Sequence, residues 1–527
     1  MKYAAGAGVD TCKCCLPNTR EDLLMEIESW ISSTDKAVPR VFWLSGAAGK
    51  GKSAIAHTIA NWYAERGELG SCFCFDHTRE ADRRQDKIFT TIASDLADSN
   101  PIVRRALVQA VHDNNGLKHT SDLTKQWQEL VLGPIGTALT TVPAPVLIVI
   151  DALDESGDAK SREQILRLLA GKLNASSSQL TELPANLRIL VTSRPLEDIQ
   201  NALHTASHVR HVSMDDISPL STEHDIQLYV STMLADQPNA FDNGHFKTLA
   251  QKSDGLFEWA RLVCEYIKGT NRVGMDPMER FEAVVAGTSA KGTRLLDDMY
   301  GRILAEIMPE DEHEEAIPRF CSVMGQIIAS LEPLPMDALA AIRLHISCGD
   351  ARYRVDRVIR PLGSLLTGTA DSHTPIRPLH ASFYDFLTEK SRSKKFFIDV
   401  SSVQSDLAFA SLRVMEHGLR FNICSLESSY LANSAVPDLE KRVKESIPAA
   451  LSYSCRFWGT HVSATPFKSS LAKEVEAFFD GERLLFWLEA LALMKGLRGS
   501  VGSLSSIADW FTVRGSSSSS GPMNSYV

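Results

Sequence analysis

The sequence predicts an α/β domain, a parallel sheet with helices on both faces, followed by helical, winged-helix and helical domains. Three observations carry that prediction. Between Val41 and Val212 short β-rich runs alternate with helical stretches, which argues for a parallel sheet. The apolar run Val41-Phe42-Trp43-Leu44 leads into Gly46-Ala47-Ala48-Gly49-Lys50-Gly51-Lys52-Ser53, a strand–turn–helix passage with an embedded motif. From Pro219 onward strand signals thin out and helical periodicity takes over.

Taking the elements in order, residues 1–15 read as a flexible tail with a Cys12-Lys13-Cys14-Cys15 cluster. No second Cys or His pair stands nearby in sequence to complete a zinc site. Residues 16–40 hold a lead-in helix that begins after Leu16-Pro17-Asn18-Thr19 and is amphipathic through Ile27, Trp30 and Ile31. Residues 41–214 form the α/β domain. Its strands are Val41 to Leu44, Cys72 to Phe75, Val146 to Ile150, Leu187 to Thr192 and, as a possible last one, His208 to Val212; the runs Val146 to Ile150 and Ile189-Leu190-Val191 are continuously apolar, as strands covered on both faces should be. Residues 215–290 carry helices at Asp225 to Leu234, Phe246 to Gln251 and Leu256 to Lys268. Residues 291–399 open with a helix from Arg294 to Ile307 and then mix helices with short β-like pieces, which suits a winged helix. Residues 400–500 are helical again, and residues 501–527 form a Ser/Gly-rich tail expected to stay disordered. No internal repeat stands out.

Gly46 to Ser53 match G-x-x-x-x-G-K-[ST], which makes the α/β domain a P-loop NTPase fold. Glycines let the backbone curl until successive N–H groups point at phosphate, and the following helix adds its positive end. Lys52 would reach the β- and γ-phosphates, and Ser53 would take a Mg²⁺ position. A carboxylate at the end of a buried strand completes such a metal site, and Asp151 fills that place after Val146 to Ile150. Asp154 and Glu155 are candidates to orient or deprotonate an attacking water. Arg194, in Thr192-Ser193-Arg194-Pro195, is a candidate contact to the γ-phosphate, with a solvated turn as the plain alternative. Arg83 and Arg84 are weaker candidates and read as surface charges.

Composition bounds the rest. Of 527 residues 44% are hydrophobic and 23% charged, the balance of globular domains. A net charge of −10 gives no global attraction for nucleic acid or an anionic membrane. No run approaches the roughly 18 apolar residues of a membrane helix, and Met1 to Asp10 lack a signal-peptide core. A cytoplasmic protein with reduced cysteines is therefore expected, and the sequon Asn174-Ala175-Ser176 carries no meaning there.

The loop GAAGKGKS, the segment VLIVIDALDES and the segment LRILVTSRP together resemble the NACHT branch of the STAND signalling NTPases. CLPNTREDLLMEIESWI, SDGLFEWARLVCEYI and RPLHASFYDFLTEKSRSKKFFID look like the fungal-type version with a nephrocystin-like nucleotide domain. The resemblance spans about Cys15 to His461. It implies a switch closed with ADP and opened by ATP exchange, with Mg²⁺ as cofactor and GTP compatible. It also implies slow hydrolysis, oligomerisation or pairing with related chains, and a role in immunity-like or incompatibility signalling. It assigns His380, in Leu379-His380-Ala381-Ser382-Phe383, to the phosphates of the closed state. Two departures stand out: Gly255-Leu256-Phe257 replaces the family's Gly-Leu-Pro, and neither a repeat sensor nor an effector domain is legible. An ADP-bound scaffold or a regulator of longer relatives stays open as an alternative. A nucleic-acid-dependent ATPase and a small-molecule kinase rank lower, since the chain is acidic and a kinase leaves the helical half unexplained.

Overall fold

The computed structural model describes residues 1, 3–35, 37–79, 83, 85–139, 145–171, 183–237, 240–269, 276–287, 291–308, 313–346, 354–428 and 430–517. Arg84 and the sequon Asn174-Ala175-Ser176 lie outside them. The chain divides into two units, Met1–Tyr300 and Gly301–Val527, with the boundary inside the helix Thr293–Ile307.

The first unit is built on five parallel strands, β1 (Val41–Ser45), β2 (Leu69–Cys74), β3 (Val146–Asp151), β4 (Leu187–Ser193) and β5 (Val209–Ser213), in the order β2-β3-β4-β1-β5. Alternate side chains of each strand face opposite ways, so the apolar runs feed two cores. Trp43, Ile148, Ile150, Ile189 and Val191 pack on one side with the helix Ile88–Ser99. Phe42, Leu44, Leu147, Val149 and Leu190 pack on the other with α1 (Glu21–Ser32) and α2 (Lys52–Glu65). All five expected strands are present. β2 begins earlier than its apolar pattern suggested, because Gly70 and Ser71 are part of it. A Cβ at Gly70 would lie 2.8 Å from the Leu147 carbonyl oxygen, so glycine is what lets the strands approach there.

The helices Pro219–Met233, Asn243–Lys252, Phe257–Lys268 and Pro277–Val285 follow β5. Ser218-Pro219 and the Asp242 and Asp276 capping boxes set three of their starts. The second unit is mostly helical. Its first half combines His313–Ala329, Met336–Arg343, Val355–Ile359 and Ala381–Thr388 with an antiparallel ribbon, Leu366–Thr367 against Arg377–Pro378. This is the expected mixture of helices and short β pieces. Among the described residues, no helix is long and apolar enough to cross a membrane.

Three expectations change. The N-terminal stretch is not a free tail: Ala4 and Ala7 are buried, and the Ala7 carbonyl accepts from the Cys74 N–H at 2.8 Å at the end of the edge strand β2. Arg83 is no surface charge, because its guanidinium donates to the carbonyls of Cys74 (3.0 Å) and Gly6 (2.5 Å) and fastens that stretch. Residues 501–517 are not disordered but belong to the helix Leu497–Ser517. Ile507 and Trp510 are buried on it, three residues apart, and the Trp510 indole N–H donates to the Thr465 carbonyl at 2.6 Å.

Candidate nucleotide-binding site

The loop from β1 to α2 turns on Gly49 (φ +85°) and Gly51 (φ +90°), left-handed conformations that favour glycine. No side chain caps the first turn of α2, so its N–H groups face the loop's concavity. The Lys52 ammonium donates to the carbonyls of Gly46 (2.7 Å) and Ala47 (3.0 Å). Burial pulls its pKa down, opposed by the carboxylates of Asp154 and Asp151. The loop is held from outside at several points. Gly46 N–H donates to Ser193 O (3.3 Å), and Glu258 N–H donates to Gly49 O (3.1 Å). Arg20 reaches Lys50 O at 3.2 Å, and the Lys50 ammonium pairs with Asp215.

Asp151 ends β3 and is buried. The Thr192 hydroxyl, one strand over, donates to Asp151 Oδ1 at 2.5 Å and accepts the Ala152 N–H at 3.0 Å. Ala152 itself sits at φ +55°, the sharp turn that redirects the chain into the 3₁₀ turn Leu153–Glu155. That turn sends its two carboxylates to different partners. Asp154 accepts from the Arg194 backbone N–H (3.0 Å) and from its Nε (2.5 Å). Burial alone would raise the Asp154 pKa, but the Arg194 charge and hydrogen bonds carry it below the ordinary range. Glu155 pairs with His77.

The structure therefore gathers Gly46 to Ser53, Asp151, Asp154, Glu155 and Arg194 at the C-terminal ends of the parallel strands, where open α/β sheets bind ligands. Arg194 is engaged by Asp154, rather than standing as the isolated turn residue considered above. His380 lies in the second unit as the N-cap of Ala381–Thr388, its Nδ1 accepting from the Ser382 N–H at 3.1 Å.

Four contributors escaped the sequence reading. Thr192 was seen only as part of a segment. Arg20, buried and left-handed at φ 59°, donates to Thr222 Oγ1 at 3.0 Å and lies over the Phe257 ring at 4.9 Å. His77 is described below. His57, on α2, lies 3.9 Å from Asp151 Oδ2 and 3.6 Å from Cys74 Sγ. His57, Cys72 and Cys74 have the composition of a soft-metal trio. However, the Asp10 N–H donates to His57 Nδ1 at 3.0 Å, which leaves the ring proton on Nε2, pointing into the trio. The sulfur pair thus closes on a hydrogen-bonded imidazole. A repeating Cys-x-Cys on the edge strand was the only available hint.

Residues 18–194 match the family described as Nephrocystin 3, N-terminal. Over that span the chain is similar to this family, and it carries the loop sequence and parallel sheet of a P-loop fold there. Its matched span runs from the lead-in to α1 through Arg194, so it covers every site residue above that lies in the first unit ahead of Pro195. Comparison with curated proteins finds no match. Among solved structures, a STAND protein with a tetratricopeptide repeat sensor from Pyrococcus horikoshii is 13% identical at a TM-score of 0.37 over 92% of this chain. The chain spans 63% of that protein's length. A Walker-type ATPase of Pyrococcus abyssi is 14% identical at a TM-score of 0.32, over 69% of this chain and 94% of its own. The similarity to the nephrocystin 3 N-terminal family rests on the match over residues 18–194, beside this chain's own sheet and loop.

Proposed function

We propose that the chain is a nucleotide-gated switch that binds ATP or ADP at Gly46 to Ser53 and hydrolyses ATP slowly. The observation that carries this proposal is the external fastening of the loop. Gly49 is bonded to Glu258, and Lys50 O to Arg20, whose guanidinium also reaches the helix Pro219–Met233 at Thr222. A change in what the loop holds is therefore passed to the helices that follow the sheet.

The residues fit Mg²⁺: the Ser53 hydroxyl and the Asp151 carboxylate are hard oxygen donors, and Thr192 fixes the carboxylate. When bound, the ion would neutralise charge on the β- and γ-phosphates. The protein's own part is to cradle phosphate in the loop N–H groups, to place the Lys52 cation on it and to aim Glu155 at the attacking water. Arg194 and Asp154 form a rigid pair beside that centre. His380 enters the proposal through the resemblance, as a contact of the ADP form, and His380→Ala should then speed ADP release. Oligomerisation in the ATP form and a cytoplasmic signalling role belong to the same proposal.

One observation favours a second possibility, a scaffold that binds ADP without turnover: the Arg194 side chain is committed to Asp154 rather than pointing freely into the loop. Phosphate release from wild type against Glu155→Gln separates the two. A switch loses release in the variant, whereas a scaffold shows none in either. Nucleotide binding itself is tested with Lys52→Ala.

A further inference from the structure

Glu155 is the residue the proposed hydrolysis depends on most, and its carboxylate is clamped from one side. Just past the end of β2, the Phe75 N–H donates to the Asp151 carbonyl at 3.0 Å. This brings the next residues alongside the turn Leu153–Glu155. There the His77 backbone N–H donates to Glu155 Oε2 at 3.3 Å, and His77 Nδ1 lies 2.9 Å from the same oxygen. Both groups are partly buried, at 22% and 16% side-chain exposure, so the pair is neither a loose surface contact nor a fully dehydrated one. Glu155 Oε1 makes no hydrogen bond among the described residues. Asp76 adjoins the pair, but its carboxylate is taken by the Thr78 N–H (3.0 Å) and hydroxyl (2.5 Å), with Arg83 at 3.8 Å. It thereby caps the turn His77–Arg79 and fixes the histidine's backbone.

We propose that His77 is the positioning residue of Glu155, holding Oε2 so that Oε1 is presented to the attacking water. This role rests on the hydrolysis proposed above. In the step, a water oxygen attacks the γ-phosphorus while Glu155 Oε1 takes the water proton. The bond from the γ-phosphorus to the β–γ bridging oxygen breaks, its electron pair leaving with ADP. Inorganic phosphate departs, and Glu155 returns its proton to solvent. A carboxylate free to rotate would spend much of its time out of reach of that water. Two donors on one oxygen remove that freedom.

The test is single-turnover phosphate release by the full chain, with nucleotide affinity measured alongside, for wild type, His77→Ala, His77→Asn, Glu155→Gln and the His77→Ala/Glu155→Gln double variant. General-base catalysis is worth about 10²–10⁴-fold, and loss of positioning should remove part of that. His77→Ala is expected to slow release about tenfold with ATP and ADP affinity unchanged. His77→Asn, whose amide N–H falls near the Nδ1 position, should restore most of the rate. In the Glu155→Gln background His77→Ala should change nothing further. The role is overturned by an unchanged or faster His77→Ala, by equal losses in both backgrounds, by a loss that follows weakened nucleotide binding, or by a wild type that releases no phosphate. If His77→Ala does not fold, His77→Leu, which fills the space without a donor, carries the same comparison in both backgrounds. Failure of the switch proposal would be seen separately, as a wild type that binds no nucleotide.

Discussion

The backbone N–H of Glu258 donates to the carbonyl of Gly49 at 3.1 Å, so the phosphate loop and the first turn of the helix Phe257–Lys268 share a hydrogen bond. The contact is close: a Cβ built on Gly49 would lie 3.1 Å from the Glu258 Cβ, and Gly49 sits at φ +85°. Segment 255–257, where the resemblance leads one to expect a proline, thus reaches the loop through the backbone of the next residue.

Gly49→Ala tests that contact. A left-handed alanine costs about 1–2 kcal/mol, and the crowding at Glu258 adds to it. Nucleotide affinity should fall at least tenfold by calorimetry while the melting temperature drops by only a few degrees. Wild-type affinity in this variant would mean that the loop's shape does not depend on the helical segment.

Arg20 is a second fastening. Burial outweighs pairing at both ends of its contact with Asp225, pulling the Arg20 pKa down and pushing the Asp225 pKa up. Such a pair adds little net stability when intact, yet breaking it strands a buried charge, at about 3–5 kcal/mol. Arg20→Ala should therefore lower the unfolding free energy by that order in a denaturant titration. Arg20→Lys should recover little, since one ammonium cannot serve Lys50 O, Thr222 and the Phe257 face together. Full recovery by lysine would reduce the site to a simple charge.

Thr192→Val removes the hydroxyl that holds Asp151 while keeping the shape of the side chain. Partners of a metal-binding carboxylate are worth about 10–100-fold in metal affinity. Nucleotide binding in the presence of Mg²⁺ should weaken by that factor, and binding in EDTA should be nearly unchanged. Equal weakening in both buffers would place Thr192 outside the cation's support.

Acid should act through Asp154. Its folded pKa lies below the ordinary Asp value of about 3.9, because Arg194 overrides the burial that would raise it. A depressed folded pKa contributes stability that is present above the unfolded value and is lost as pH falls through the folded one. Urea midpoints should therefore begin to drop from this group below about pH 4. In Arg194→Ala the largest opposition to burial is gone and only the Lys52 charge and the backbone N–H at position 194 still hold this pKa down, so the acid loss from this group should shrink or reverse. Superimposable pH profiles would remove the pair from the stability of the site.

Much of this arrangement was legible in the sequence because it is encoded by neighbours. Val41 to Leu44, Val146 to Ile150 and Ile189 to Val191 are apolar on both faces, and the loop and Asp151 sit directly at the ends of the first two. What escaped notice is built across long separations. Arg20 and Thr222 are 202 residues apart, Thr192 and Asp151 are 41, and His77 and Glu155 are 78. Each joins polar residues of ordinary local type, and only the folded sheet brings them together. The helix Leu497–Ser517 was missed for the opposite reason. Its Ser/Gly composition has low helix propensity, and the burial of Ile507 and Trp510 overrides it.

The central claim, that Gly46 to Ser53 bind the nucleotide that sets the chain's state, is tested most directly by calorimetric titration of wild type and Lys52→Ala with ADP and with a non-hydrolysable ATP analogue in Mg²⁺. The wild type should bind both and Lys52→Ala neither; a Lys52→Ala chain that binds as tightly as wild type would contradict the account.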